Sequence, residues 1–545
     1  MAEKYDFIIV GGGHNGLTCG AYLARAGQKV IVMERRDLWG GGVMTEKFKL
    51  PGFVYNPHSA GHEWIFMGPV YNDLELKKHG SHYKFRPLSA VFEDDRSVIQ
   101  YRDVDKTCKT IEQFSRKDAV AYKEMVNMYM DAVELIVTGY MFNSPMPPSK
   151  WMAQFEGTYG GREFIRMMQT SPYYLCEQLF ESDQVKTFIL FHVTQSGIPL
   201  DSFGSGLFFP MMFPAMHKSG MGTSVGGSKS LSDGMVRAME AYGGVIRINS
   251  EVKEIMVKDG IAMGVKLADG VEYLANKAVI CNVGPTLIFG NGKMVGEEHL
   301  DKAFINQIRN WRPGEMALYG LHLALDEQID YKAARIEPDI NKCYAVYMCE
   351  NTEILQKQFS SIRIGEFPQG ENLGMLGMMP TVVDSTQAPP GKHTAFIWQY
   401  ATNTYYQKGG QERWDEVRDE YAEECLNFWS KYTNNLSKPD IILEKHIETP
   451  SDIVRRNPSM IGGDFSGGTM DQDQIGIFRP FHGYPPYRTP IENLYMCGPT
   501  THPGGGCSGA CGYNAANVVA EDFKIKKWWP TPSYFGGAPE EELTD

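Results

Sequence analysis

The sequence predicts an α/β protein. Its main domain has a parallel sheet with a glycine-rich turn, and an α+β domain is inserted into that main domain. Three observations predict this class. The stretch YDFIIVGGGHNGLTCGAYLARAGQKVIVMERR (5–36) reads strand, glycines, helix, strand and acid. Two later segments, 220–300 and 481–530, return to the same alternation of strand and helix. The chain of 545 residues is also long enough for more than one packed lobe.

The first segment justifies a β-α-β unit element by element. The apolar run Phe7 to Val10 predicts a buried strand, and Leu17 to Ala24 is spaced as a helix that Gly27 ends. A second apolar run, Val30 to Met33, predicts the next strand and finishes on Glu34.

The glycines of this unit predict a Rossmann-like dinucleotide site. Gly11, Gly13 and Gly16 occupy the positions of GxGxxG, which give a tight turn, close approach of a pyrophosphate and close packing of helix on strand. Phosphates would lie on the free amides of the helix N-terminus. Glu34 follows Gly16 at the distance where a carboxylate accepts hydrogen bonds from a ribose, and its charge disfavours NADP.

A second glycine turn favours FAD over NAD. Gly40, Gly41 and Gly42 follow almost directly after Glu34. A nicotinamide dehydrogenase has no need of bare backbone there, whereas a longer flavin cofactor does. We therefore expect FAD.

The middle and last segments complete the predicted FAD-binding domain. In 220–300 we expect a helix over Leu231–Ala241, a strand over Val245–Ile248 and a β-meander whose last strand is Ala278–Cys281. In 481–530 the strand Leu494–Cys497 precedes a glycine-rich loop and a helix that begins near Ser508. The N-terminus of that helix would stabilise negative charge on the reduced flavin.

These segments predict a discontinuous domain organisation. Residues 1–69, 220–300 and 481–530 form the FAD-binding domain, 70–219 and 301–480 the α+β substrate-binding domain, and 531–545 an acidic tail. The uncharged segment 204–216 is rich in Phe and Met, which suits the core, a tunnel wall or a surface that meets lipid. Pro210 and Pro214 argue against a long helix there.

With the motif LYMCGPTTHPGGGCSGACGYNAA (494–516) in view, the chain resembles the FAD-dependent phytoene desaturase and carotenoid isomerase family, of the amine oxidase-type flavoprotein superfamily. It especially resembles the subgroup named for a pyridine nucleotide-disulfide oxidoreductase domain. The resemblance implies that Val43 faces the isoalloxazine, Val252 the adenine, and the 505–510 loop the pyrimidine ring. The residues expected at the cofactor are Gly11, Gly13, Asn15, Gly16, Glu34, Arg35, Gly41, Gly42, Val43, Val252, Gly498, Gly505, Gly506, Gly509 and Ala510.

Candidates for proton transfer follow the second glycine turn. In NPHSAGHEW, His58, His62 or Glu63 can serve as a proton acceptor beside the flavin, the alternative being ordinary loop hydrogen bonding. Arg479 either contacts FAD phosphate or folds its own loop. We expect no metal site, because HEWIF has Phe66 where a zinc helix needs a second histidine.

The expected function is FAD-dependent oxidation or reduction of a hydrophobic substrate, such as an isoprenoid or carotenoid, by desaturation, saturation or isomerisation of C–C bonds. A hydride would pass to or from flavin N5, with a quinone, O2 or another electron acceptor. A flavin amine or alcohol oxidase, and a redox-idle FAD-binding interaction protein, are the alternatives.

Composition limits the partners and the compartment. A net charge of −13 argues against nucleic acid, and the ten cysteines without framework spacing are typical of a reducing cytoplasm. No apolar run reaches the ~18 residues of a membrane span. The mixture of lysines and tryptophans in Phe523–Pro530 suits either helix packing or peripheral membrane contact. The sequence is compatible with a homo-oligomer.

Overall fold

The computed structural model describes residues 3–130, 132–206, 208–290 and 293–532. Residues 533–545 of the predicted acidic tail therefore lie outside the described residues.

The strands, in chain order, are β1 (Glu3–Val10), β2 (Val30–Met33), β3 (Glu46–Lys47), β4 (Val54–Tyr55), β5 (Tyr83–Phe85), β6 (Leu88–Val91), β7 (Ser97–Gln100), β8 (Gly222–Ser224), β9 (Val245–Arg247), β10 (Val252–Lys258), β11 (Ile261–Leu267), β12 (Glu272–Cys281), β13 (Met316–Leu325), β14 (Ala345–Met348), β15 (Met375–Met378), β16 (His393–Thr402), β17 (Ile442–Glu448) and β18 (Leu494–Met496).

The α-helices, in chain order, are α1 (His14–Arg25), α2 (Val70–Asp73), α3 (Val104–Ile111), α4 (Arg116–Met130), α5 (Ala132–Ile136), α6 (Pro148–Ala153), α7 (Tyr159–Gln169), α8 (Pro172–Leu179), α9 (Asp183–Thr194), α10 (Phe208–Ser219), α11 (Lys229–Glu240), α12 (Pro285–Ile288), α13 (Lys302–Arg309), α14 (Thr352–Arg363), α15 (Pro380–Val383), α16 (Gly410–Ser430), α17 (Pro450–Arg456) and α18 (Ala510–Asp522).

The first sheet contains the predicted β-α-β unit at its centre. Its order is β10-β11-β12-β1-β2-β9, and β18 adds to β12. Strand β1 runs parallel to both neighbours, with Ile8 opposite Val279 on β12 and Ile31 on β2. Strands β10, β11 and β12 form the predicted antiparallel meander. The strands of this sheet come from residues 3–33, 245–281 and 494–496, so three distant stretches of chain build one sheet.

Helices α1, α11 and α18 cover one face of this sheet. Phe7, Ile9 and Val32 point into a fully buried core with Leu17 of α1 and Met235 of α11. These side chains alternate along β1, which is the period-2 pattern of a strand buried on both faces.

The second sheet is built from other parts of the chain and is mostly antiparallel. Its order is β17-β13-β16-β15-β14-β6-β7, with a parallel pairing of β14 to β6. The long strands β13 and β16 pair over their whole length, from Met316 opposite Thr402 to Leu325 opposite His393. One face of this sheet lines the cavity described below, which also borders the first sheet.

The lysine and tryptophan segment after α18 packs onto α1. Trp529 is only 3% exposed, and its indole Nε1 donates to Asn517 at 3.0 Å. Trp528 stacks on Tyr22, donates to the Tyr22 carbonyl at 3.1 Å and carries the Arg25 guanidinium over its ring. These contacts favour helix packing over membrane contact for this segment. No helix within the described ranges has the length and apolar character of a membrane span.

Proline did not prevent a helix in the 204–216 segment, contrary to our expectation. Helix α10 runs over Phe208–Ser219 with Pro214 inside it. Met212, Phe213 and Met216 are buried in the core beside α9. Their burial outweighs the one helical hydrogen bond that proline removes. The described side chains of this segment do not line the cavity below, so its interpretation as core is favoured.

Candidate cofactor and substrate site

A large cavity of about 400 Å³ runs from the glycine turns of the first sheet to the face of the second sheet. One end is lined by Gly11, Gly13 and Glu34, and the other by Tyr347 and Trp398. The cavity therefore joins the region expected to hold a dinucleotide with a region supplied by the two insertions.

The turn after β1 leaves room for a ligand only because it lacks side chains. A Cβ on Gly13 would lie 2.8 Å from Asn282 Nδ2, and one on Gly41 would lie 3.0 Å from Gly13 Cα. Gly13 is the N-cap of α1, where no side chain caps the helix and no acid occupies the first turn. The exposed amides thus fit an anionic pyrophosphate, as the fold requires.

Glu34 fits the ribose end of the same ligand. Its Oε2 accepts the Gly12 amide at 2.8 Å and its Oε1 accepts the Arg36 amide at 2.9 Å. The carboxylate is 9% exposed and lines the cavity. Each oxygen keeps a lone pair for a hydroxyl, and the residues present fit FAD.

Most residues predicted at the cofactor lie on the cavity wall, and four lie behind it. The wall includes Gly11, Gly13, Asn15, Glu34, Arg35, Gly41, Gly42, Val43, Val252, Gly505 and Gly506. Gly16, Gly498, Gly509 and Ala510 do not line it. Their binding roles stay predictions, and the structure gives these four packing roles instead.

The physical reasons for those four positions differ. A Cβ on Gly16 would lie 2.5 Å from the Gly11 carbonyl oxygen, so the glycine lets α1 pack on the turn. Gly498 lies against Asn282, with 3.2 Å between a built Cβ and the Asn282 backbone. Gly509 has φ +74° as the N-cap of α18, and Ala510 is its fully buried first residue.

A histidine that sequence reasoning missed joins the first and third segments. His14 Nε2 lies 3.0 Å from the Gly506 carbonyl oxygen, and both residues line the cavity. Burial lowers the pKa of His14 to about 4, so the ring is neutral at pH 7 and donates to this carbonyl. The bond fixes the glycine loop before α18 against the N-terminus of α1.

The second sheet forms the wall of an apolar chamber at the other end of the cavity. Tyr347, Leu376 and Trp398 stand directly opposite one another on β14, β15 and β16 and therefore share one face. Ala345 and Met378 form the next row. We call the space bounded by these rows the apolar chamber, and its remaining apolar lining includes Trp64, Met221, Leu318, Phe465 and Met470.

Glu63 is one of two predicted proton acceptors that line the cavity. It begins a short 3-10 turn over Glu63–Phe66, is 8% exposed and lines the cavity. Burial raises the pKa of its carboxyl above the ordinary range. Burial also raises the pKa of the nearby Cys507 thiol to about 12, and the Cys507 sulfur lies 3.0 Å from Ser59 Oγ. The cavity wall around Glu63 therefore favours uncharged groups.

The two histidine candidates are less suited to take a proton. His62 does not line the cavity, and its Nδ1 is 2.8 Å from the Tyr83 hydroxyl. His58 lines the cavity beside the buried pair of Glu448 and Arg456. Burial lowers the pKa of each ring to about 3, which makes both weak bases.

Arg479 folds its loop. It is 3% exposed, and its Nη2 donates to the carbonyls of Ser466 at 2.7 Å, Gly467 at 2.6 Å and Pro499 at 3.0 Å. Ser466, Gly467 and Pro499 all line the cavity. Asp464 supports the same loop, because its Oδ2 accepts the Gly314 amide at 2.9 Å and its Oδ1 the Ser466 amide at 2.7 Å.

Replacing Arg479 with methionine is expected to destabilise the protein by about 3 kcal/mol, because buried carbonyls lose their donors. Thermal and denaturant unfolding of the flavin-loaded protein measure the loss. Arg488→Met is the matched control, since Arg488 makes a partly exposed ion pair with Asp522 that contributes about 1 kcal/mol or less. Equal unfolding free energies for the two variants would contradict the loop-folding role.

Comparison with known proteins identifies the family. Residues 16–425 match the model of the flavin containing amine oxidoreductases. A limonene dehydrogenase subunit of Castellaniella defragrans is 30% identical over 99% of this chain and 99% of that protein. Pyridine nucleotide-disulfide oxidoreductase domain-containing protein 2 of Rattus norvegicus is 29% identical over 96% of this chain and 94% of that protein. A phytoene desaturase of Rhodobacter capsulatus is 24% identical over 94% of this chain and 93% of that protein.

Solved structures show the same fold at lower identity. An oxidoreductase from Methanosarcina mazei superposes with a TM-score of 0.60 at 16% identity, covering 95% of this chain and all of that one. A putrescine oxidase variant superposes with a TM-score of 0.57 at 14% identity, covering 96% of this chain and 99% of that one. The resemblance, the Rossmann-like fold and the cofactor predicted from the sequence are confirmed. The chain belongs to the flavin containing amine oxidoreductase family and is an FAD-dependent oxidoreductase.

Proposed function

We propose that this enzyme changes the hydrogenation or the position of a C–C double bond in an uncharged apolar molecule, of the size and character of an isoprenoid. The observation that carries the proposal is the apolar chamber, where rows of Tyr, Leu, Trp and Met side chains meet the glycine turns of the FAD-binding sheet. Burying apolar ligand surface there contributes about 25 cal/mol per Å².

The names of three relatives support the same substrate class. The limonene dehydrogenase subunit, the phytoene desaturase and a prolycopene isomerase from Daucus carota are named for hydrocarbons. The similarity to each runs over at least 94% of this chain, insertions included. The substrate-facing parts of the chain are thus related as well as the nucleotide turns.

Glu63 is proposed as the group that moves the proton. FAD, when bound, exchanges a hydride with carbon. Glu63 lies in the same cavity and, once ionised, can take a proton from the neighbouring carbon. The apolar walls exclude water, so the proton exchanges with this carboxyl and not with solvent.

The acids of the wall argue against an amine substrate, which is the second candidate because the family includes amine oxidases. A protonated amine needs an ionised partner, and burial raises the pKa of Glu63, which favours the neutral acid. Asp464, a second acid on the cavity wall, already accepts hydrogen bonds from Gly314, Ser466 and Gly468. The chamber therefore suits a neutral molecule.

Anaerobic titration of the purified flavoprotein tests the proposal. We expect a cyclic or acyclic isoprenoid alkene to bleach the flavin absorption, and primary amines and simple alcohols to leave it unchanged. The reaction is then repeated in air. Consumption of O2 with release of peroxide would identify O2 as the electron acceptor, and reoxidation only after a quinone is added would identify a quinone. Reduction by amines alone would establish the amine oxidase, and a flavin that no compound reduces or perturbs would establish the redox-idle protein.

A further inference from the structure

One corner of the apolar chamber carries polar atoms that nothing in the described residues satisfies. His192 Nε2 and Gln195 Nε2 are both buried, and neither has a hydrogen-bond partner among the described residues. Both residues line the cavity. They lie three residues apart at the C-terminal end of α9, so they face the chamber from the same side of the helix.

The His192 ring is fixed in place. Its Nδ1 lies 2.7 Å from the Tyr347 hydroxyl, and its ring packs against Phe213 at 5.1 Å between centroids. Tyr347 stands in the first row of the chamber wall. Because Nδ1 is engaged and the ring is held, Nε2 is the ring nitrogen left for a ligand in the cavity that His192 lines.

A hydrocarbon would leave this corner unsatisfied. Burying both groups against a purely apolar ligand loses their hydrogen bonds to water and returns nothing. An ionised ligand is also unsuitable, because the described lining of the chamber holds no lysine or arginine near His192; Arg35, Arg36 and Arg456 line the opposite, nucleotide end. A neutral oxygen satisfies both groups.

We propose that the substrate is an apolar molecule with an uncharged oxygen, a carbonyl or a hydroxyl, that hydrogen-bonds to His192 and Gln195. This inference rests on the proposed function, because it narrows the substrate class of the same chamber. His192 and Gln195 act in binding and specificity, at the corner where Tyr347 positions the imidazole.

Matched pairs of ligands test the proposal. Each pair holds a hydrocarbon and its oxygenated counterpart with nearly the same skeleton: limonene and carvone, phytadiene and phytol, β-carotene and echinenone. Dissociation constants come from the perturbation of the flavin spectrum of the loaded protein under nitrogen. In the pairs that bind, the oxygenated member is expected to bind at least about tenfold more tightly.

Variants show whether the corner causes that preference. Gln195→Met keeps the side-chain volume and removes the amide, and His192→Phe removes Nε2. Each is expected to bring the ratio within a pair to about twofold or less while the hydrocarbon still binds. His299→Phe is the control at a surface turn and is expected to keep the wild-type ratio.

The outcomes separate this inference from the proposed function. Equal affinities within every binding pair, or a preference that survives Gln195→Met, would overturn the oxygen site and leave an apolar chamber for hydrocarbons. If no member of any pair binds, the proposed function fails, and the inference fails with it.

Discussion

A Gly13→Asp variant is expected to purify folded and colourless. The new side chain stands at the N-cap of α1, where aspartate is favourable because its carboxylate accepts the free amides of the first turn. Those are the amides that the FAD pyrophosphate needs, and the added negative charge repels it. Flavin content per chain, from the visible spectrum after desalting, is expected to fall from near one to below about 0.1.

Two further variants isolate the cause. Gly13→Ala adds only the Cβ that lies 2.8 Å from Asn282 Nδ2, so it is expected to weaken flavin binding without abolishing it. Gly160→Asp places the same carboxylate on α7, where a built Cβ meets nothing within 4 Å, and is expected to leave the flavin content unchanged. Added FAD should raise the melting temperature of wild-type apoprotein and leave that of Gly13→Asp unmoved. A fully yellow Gly13→Asp protein would refute the phosphate site.

Glu63→Gln is expected to keep FAD and lose catalysis by about 10² to 10⁴ in kcat, the usual contribution of a positioned acid or base. The amide has the shape of the carboxyl but cannot accept a proton. Stopped-flow reduction of the flavin by a substrate found in the titration measures the loss. Glu353→Gln, which removes an exposed pairing with Lys357 on α14, is the matched control.

The pH dependence gives Glu63 a signature that a structural role would not produce. Because burial raises its pKa, the ionised base forms only as the pH rises above the ordinary carboxyl range. The rate of flavin reduction should therefore climb with pH through that raised pKa. Glu63→Gln should flatten this limb of the profile, and an unchanged profile would mean that another group takes the proton.

Local turn chemistry explains why the cofactor end could be predicted from the sequence. Gly11, Gly13 and Glu34 lie within one β-α-β unit, so their spacing along the chain fixes their spacing in space. The same reasoning does not separate a residue that faces the ligand from one in the turn that starts a helix, so the binding roles of Gly509 and Ala510 stay predictions.

The chamber could not be predicted because its residues meet through long-range pairing. Tyr347, Leu376 and Trp398 share a row only because β14, β15 and β16 are neighbours in the second sheet. No feature of the sequence around these residues indicates which of them are paired across the three strands. His192 was equally hidden, since a histidine in an apolar helix gives no sign that one of its nitrogens faces a cavity. Pro214 misled for a related reason, because burial of its neighbours overrides its intrinsic preference.

The packing of the C-terminal segment on α1, seen in the contact of Trp528 with Tyr22, implies that the nucleotide site is completed late in synthesis of the chain. Strand β18 and helix α18 are made hundreds of residues after the first glycine turn, and the loop between them reaches the start of α1, where the Gly506 carbonyl pairs with His14. A nascent chain that has emerged only as far as residue 480 therefore has a half-built nucleotide cradle. We therefore expect the chain to bind FAD only after α18 has been synthesised and the loop before it has reached α1.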